Sequence, residues 1–287
     1  MISSYIALTK PKIIVLLLIT ALGGLFLASA GLPNLTIAAA VLIGGTLAAG
    51  GANALNHFWD RDLDIKMKRT ATRPVASGSV KPINALIFGI LLNLVAFAVL
   101  YRYANLLSAL LTLSATLFYI FVYTVVLKRT TPQNIVIGGA AGSIPPTVGW
   151  VAVTNSIMDP APIFLFLIVF FWTPPHFWAL SLILKDDYEN AGIPMLPVVS
   201  GIAATKTQIF IYTWLLLGIL LAATYFVEEL SIIFGIFSVV LCAGFIWSTW
   251  LLKRRDNIKL AMPIYLYSMA FLALLFIVMV VESFISI

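Results

Sequence analysis

The sequence predicts an all-α membrane protein: nine transmembrane helices in a single domain spanning 1–287. Three observations predict it. First, 62% of the 287 residues are hydrophobic and only 10% are charged, whereas a soluble domain is about half apolar and a quarter charged. Mean hydropathy is +1.07. Second, nine charge-free windows each approach the roughly 20 apolar residues that a helix needs to cross the hydrocarbon core. Third, 16 of the 17 Lys and Arg residues fall on alternate connections, as the positive-inside rule requires. This composition excludes an ordinary globular protein and a disordered one, and it gives no reason to expect a nucleic-acid partner. The lone Cys242 excludes a disulfide framework and a cysteine-based metal site.

The windows run in order. The first, about 13–31, has no small-residue cleavage pattern after it and reads as a span rather than a cleavable signal. The second, about 35–58, ends in a polar run. The third, 82–101, follows Lys81, and the fourth, 106–127, closes on Lys128 and Arg129. The fifth is 134–153. The sixth, 160–184, carries Pro174, Pro175 and His176, and the prolines are expected to kink it. The seventh and eighth are 207–226 and 231–252, the latter followed by Lys253, Arg254 and Arg255. The ninth is 262–281.

Nine spans put the termini on opposite sides. A cytoplasmic N-terminus, with the C-terminus outside a cell (inner) membrane, gathers every basic residue except Arg102 on the inner face. Seven of the 11 acids join them: Asp60, Asp62, Asp64, Asp186, Asp187, Glu189 and Asp256. Two inner connections, about 59–81 and 185–206, are long, and long loops are where function concentrates. They lie four spans apart, which hints at two related halves.

The first connection opens with Asn56, Asp60 and Asp64. On a continuing helix, residues four apart share one face. Two carboxylates there repel unless a cation sits between them, and hard oxygen ligands suit Mg²⁺, which completes its shell with substrate phosphates. The alternative is a solvated helix end. Asp62 points elsewhere and is expected to pair with Lys66. Lys66, Arg69 and Arg73 follow, and Lys128 and Arg129 lie at the same depth just after Tyr123 and Thr124. Such cations suit a diphosphate, which Arg grips in a bidentate manner.

The second cluster lies in and after the sixth span. An imidazole inside an apolar span is a functional candidate by default. Trp172 and Trp178 flank His176 in sequence, offering stacking surfaces to a flat ligand; a structural kink is the alternative. Lys185, Asp186 and Asp187 form a second charged patch on the same face. Without a family argument, these features fit an enzyme acting on a diphosphate or a transporter; charges at one face rather than at the bilayer midplane disfavour the transporter.

The stretch Asn56-x3-Asp60-Arg61-Asp62-x-Asp64-x2-Met67-x-Arg69-Thr70-x2-Arg73-Pro74 resembles the first Asp-rich motif of the UbiA superfamily of intramembrane prenyltransferases. Pro175-His176-Phe177-Trp178-Ala179-Leu180, Asp187-Tyr188 and the run Ala191 to Val198 resemble its haem-farnesylating members, as do Thr9-Lys10-Pro11, Tyr123-Thr124-x3-Lys128-Arg129 and Gly142-x2-Pro145-Pro146-x2-Gly149. The resemblance implies nine helices around a central cavity with an inner-face polar cap. It implies transfer of farnesyl from farnesyl diphosphate to a vinyl group of haem B, forming haem O; an aromatic acid, quinone precursor or chlorophyllide is the alternative acceptor. By the same resemblance Asn56, Asp60, Asp64 and Asp187 would be catalytic Mg²⁺ ligands. Lys66, Arg69, Arg73, Lys128, Arg129, Lys185, Asp186, His176, Trp172, Trp178 and Tyr123 would contact substrate. A haem A synthase or a terminal oxidase assembly would receive the product. In the second motif, Asn190 and Ala191 stand where many relatives carry a second carboxylate.

Overall fold

The computed structural model describes residues 2–255 and 257–285; Asp256, counted above among the inner-face acids, lies outside them. The described residues contain nine helices long and apolar enough to cross a membrane, and no strand. A short helix α1 (Ile2–Thr9) precedes the spans. The spans are α2 (Pro11–Ser29), α3 (Leu35–Trp59), α5 (Pro82–Tyr103), a composite fourth, α8 (Asn134–Thr154), α9 (Pro160–Ile183), α12 (Gly201–Phe226), α13 (Ile232–Arg254) and α14 (Ala261–Glu282). Short helices α4 (Arg61–Asp64), α10 (Lys185–Asn190) and α11 (Leu196–Val199) lie in the two long connections. The protein is a multi-pass membrane protein.

Local chemistry starts these helices where they start. Proline opens α2, α5 and α9, where its missing N–H costs nothing. The Asn34 and Ser231 side chains cap α3 and α13. Glu282, at the far end of α14, accepts from the Phe234 N–H at 2.8 Å and so adds a second cap to α13.

Two elements, the fourth and seventh spans, depart from the sequence reading. The fourth span is α6 (Leu106–Leu117), a π-helix (Phe118–Leu127) and α7 (Lys128–Thr130) in succession. The π stretch widens the helix beside the polar cluster, and such stretches gather at functional sites. The sixth span runs unbroken through Pro174 and Pro175. Neighbouring helices and hydroxyls can re-satisfy backbone freed by proline inside a membrane protein. The seventh span begins at Gly201, six residues early, so Lys206 lies within a helix and its ammonium donates to the Arg255 carbonyl at 3.1 Å.

Close helix crossings rest on glycine. A Cβ on Gly149 would sit 2.0 Å from the Ala21 carbonyl oxygen, and one on Gly24 would sit 2.1 Å from that of Pro146. The Gly142–Gly149 motif thus lets α8 press backbone to backbone on α2, as small residues do where lipid supplies no hydrophobic drive between helices. Gly149→Leu is expected to push these helices apart and cost on the order of 3 kcal/mol. A lowered thermal midpoint in detergent checks this; an unchanged midpoint contradicts it.

Candidate active site

The α3 helix ends at Trp59. Asp60 leaves helical geometry at φ −90°, ψ 3°, and α4 then makes a single turn to Asp64. The interruption does not scatter the triad. The Asp64 N–H donates to the Asp60 carbonyl at 2.8 Å, and the Asn56 amide donates to Asp60 Oδ2 at 2.7 Å. Exposure is 3% for Asn56, 0% for Asp60 and 2% for Asp64, which excludes the solvated helix end.

Each member of the triad meets a cation. Lys10 Nζ donates to Asn56 Oδ1 at 2.9 Å. Lys128 Nζ lies 2.5 Å from Asp60 Oδ2 and Arg73 Nη1 lies 2.8 Å from Asp64 Oδ1. Buried carboxylates are tolerable only when paired in this way. Lys10 was not singled out as a site residue in the sequence, where it reads as part of the topology signal. It sits between α1 and α2 with its backbone in the left-handed region at φ 52°, a costly conformation for a residue with a Cβ. Burial first, then the neighbouring Arg73 and Lys128 charges, lowers its ammonium to about 7, against the pull of Asp60 and Asp64.

Two buried carboxylate oxygens, Asp60 Oδ1 and Asp64 Oδ2, have no hydrogen-bond partner. Unsatisfied buried acceptors are rare enough to require an explanation. Two hard anionic oxygens on one polar face fit a divalent cation, and the chemistry of this donor set therefore fits Mg²⁺. Asn56 fits less directly, because its carbonyl oxygen is taken by Lys10. Among the described residues no three His, Cys, Asp or Glu side chains gather at metal-ligand spacing.

The surrounding residues sort differently from expectation. Asp62 pairs with Arg129, not Lys66: both guanidinium nitrogens lie 2.8 Å from its carboxylate oxygens. That hydrogen bond holds the Asp62 carboxyl at about 2. Arg129 also donates to the Trp59 carbonyl at 2.9 Å, capping α3, and approaches Asp60 at 4.0 Å. Lys66 and Arg69 are exposed at the rim. Thr70 donates to the Asp64 carbonyl at 2.9 Å and ties the connection down. From the π-helix, Thr124 accepts from the Asn56 amide at 3.2 Å, and Tyr123 stacks on Tyr119 with ring centroids 5.5 Å apart.

In the second motif Lys185 pairs with Glu189 at 3.1 Å, one turn on. Asp186 is exposed and Asp187 half-buried. The residue turned inward is Tyr188, which the sequence reading did not select. It is buried, and burial raises its hydroxyl against the nearby Arg69 and Arg73 charges. The tryptophans do not form a ligand platform. Trp172 stacks on His176 itself, centroids 4.2 Å apart, and Tyr265 covers the other face at 4.7 Å. Trp178 is buried in the core with its edge against Tyr212.

The described residues thus combine nine helices apolar and long enough to cross a membrane with a buried cluster of carboxylates paired to cations. The sequence profile of the UbiA prenyltransferase family matches residues 17–275, and the chain belongs to that family and is a prenyltransferase. It is 47% identical over 283 residues to the protoheme IX farnesyltransferase of Gloeothece citriformis, covering 98% of this chain and 87% of that one. It is 46% identical over 281 residues to that of Synechocystis, covering 98% and 89%. Among solved structures it resembles a digeranylgeranylglyceryl phosphate synthase at TM-score 0.78 and 17% identity, covering 99% of this chain and 98% of that one. It also resembles a UbiA homologue from Archaeoglobus fulgidus bound to DMAPP and Mg²⁺ at TM-score 0.68 and 16% identity, covering 97% and 99%. At these identities the structures share the fold.

Proposed function

We propose that this prenyltransferase transfers a farnesyl group from farnesyl diphosphate to a vinyl group of haem B, yielding haem O. The observation that carries the reading is near-half identity, across 98% of the chain, to relatives named protoheme IX farnesyltransferase. The buried triad and its matching cations support it. Asp60 and Asp64, with the Asn56 amide once Lys10 releases it, would hold Mg²⁺, whose charge stabilises the diphosphate as the C1–O bond breaks.

The other groups of this chain bind and position. Arg73, Lys128 and Lys10 carry the charge needed to hold the departing diphosphate, with Arg69, Lys66 and Arg129 at the rim and Lys185 on the second long connection. Asp187 supplies the second motif's carboxylate. Tyr123 and Tyr188 wall the polar cap, while the apolar spans accept the isoprenoid. The vinyl group attacks the allylic cation at C1, water adds to the porphyrin-side carbon and gives up a proton. Farnesyl diphosphate, haem B and water thus become haem O and diphosphate. No nucleophilic side chain is required; rate comes from leaving-group stabilisation and alignment in a water-poor interior. His176 is the acceptor-side contact. A haem A synthase or terminal oxidase would take up the product.

The test is expression in a bacterial host lacking this activity, followed by analysis of extracted haems. Haem O is expected; its absence from the expressed, folded protein overturns the reading.

The basic face fits a cytoplasmic N-terminus in the cell membrane. Because Cys242 is buried, single exposed cysteines can be labelled against a silent background. A membrane-impermeant maleimide is expected to label Glu228→Cys in intact cells and Ser77→Cys only after permeabilisation. The reverse pattern contradicts this orientation.

A further inference from the structure

We propose that Ser268 is a positioning residue that fixes the tautomer of His176, leaving His176 Nε2 as the ligand for the iron of the haem substrate. This deepens the haem reading above and rests on it.

Tyr265 and Ser268, on one turn of α14, define the surroundings of the imidazole together with Trp172 of α9. Ser268 Oγ donates its only hydrogen to the Tyr265 carbonyl at 2.7 Å. Its contact with His176 Nδ1 is also 2.7 Å, and both hydrogen bonds are made at once only when Ser268 accepts there and Nδ1–H donates. In a neutral imidazole the other nitrogen then carries a lone pair. The Ser268 carbonyl takes the Trp172 indole N–H at 2.8 Å, so the same residue anchors the ring stacked on His176. Trp172 and Tyr265 lie nearly parallel to the imidazole, at 18° and 24°. Both faces are thus occupied, and the ring can meet a ligand only along its edge.

That edge decides between two roles. A haem propionate is an anion and needs a donor; Nε2 without a hydrogen offers only a lone pair and would repel it. An iron centre needs that lone pair. Metal-ligating histidines almost always donate their second N–H to a fixed acceptor, which sets tautomer and orientation, and Ser268 is such an acceptor. His176 lies seven residues before the end of α9, about 10 Å of helix. An iron there lies deeper in the bundle than the polar cap, and the edge of the flat macrocycle is left to meet the allylic carbon.

The experiment uses the purified full chain in detergent, with ferric haem B and metal-free protoporphyrin IX as parallel probes. Wild type is expected to give the absorption and paramagnetic-resonance signature of histidine-bound iron. His176→Ala is expected to lose that signature and to bind haem B at least about tenfold more weakly, with affinity for the metal-free porphyrin unchanged. Ser268→Ala is expected to weaken haem B binding about tenfold, with Ser268→Thr restoring it. Should His176→Ala fail to fold, His176→Gly with added imidazole is expected to regain the iron signature. An unaltered signature in His176→Ala, or in His176→Gly without imidazole, overturns the proposal. So does equal behaviour of Ser268→Ala and Ser268→Thr. Haem O formation by the same wild-type preparation separates the two claims: if it forms while these variants bind like wild type, only the ligation proposal falls. If it does not form, the haem reading falls.

Discussion

Asp60→Asn is expected to lower farnesyl transfer by about 10³-fold, the scale seen when a preorganised electrostatic group is removed from a transition-state site. Asp60 is fully buried and receives the Asn56 amide and the Lys128 ammonium on Oδ2, while Oδ1 has no hydrogen-bond partner. The amide variant keeps the shape but removes the charge. It leaves Lys128 facing a neutral group, and it removes an anionic oxygen from the proposed metal site. The readout is haem O formed per minute with thermal stability measured alongside. A folded Asp60→Asn protein turning over within a few-fold of wild type would remove Asp60 from the mechanism.

Arg73→Ala is expected to act on both fold and chemistry. Arg73 Nη1 is 2.8 Å from Asp64 Oδ1, and Asp64 is 2% exposed. Removing one partner of such a pair leaves a buried charge uncompensated, at a cost of roughly 3 kcal/mol. Because Mg²⁺ is proposed to bind the same carboxylate, Mg²⁺ should stabilise Arg73→Ala more than it stabilises wild type, and farnesyl transfer should fall by about 10²-fold. Thermal midpoints with and without Mg²⁺ decide it. An equal Mg²⁺ response in the two proteins would show that the cation does not meet Asp64.

The nine spans were legible because a bilayer imposes a length and a polarity that few other sequences satisfy. The Asn56, Asp60 and Asp64 triad was legible because a four-residue spacing survives the break at Asp60: one Asp64 N–H to Asp60 carbonyl bond keeps the turn. Asp62 shows where local reasoning stops. Its nearest basic residue at helical spacing is Lys66, but Arg129, 67 positions away, arrives on another span with a planar fork already aimed by the Trp59 carbonyl. The π-helix left no signal, since Phe118–Leu127 is apolar in any winding. Lys10 lay in the Thr9-Lys10-Pro11 match but among charges that topology alone explains, and its left-handed backbone and its bond to Asn56 are what give it a place at the triad. Tyr188 lay beside Asp186 and Asp187, and the acids drew attention that the fold gives to the ring. The tryptophans mislead for a related reason: Trp172 at four residues before His176 must share its face, whereas Trp178, two residues after, cannot.

The central claim is that the buried triad is where farnesyl diphosphate is ionised toward haem B. The most direct measurement supplies purified protein with farnesyl diphosphate, haem B and Mg²⁺, and weighs the extracted haem by mass spectrometry. Wild type is expected to yield farnesylated, hydrated haem, and an Asp60→Asn/Asp64→Asn variant of equal thermal stability is expected to yield none. Product from the double variant at the wild-type rate, or none from the folded wild type, would contradict the account.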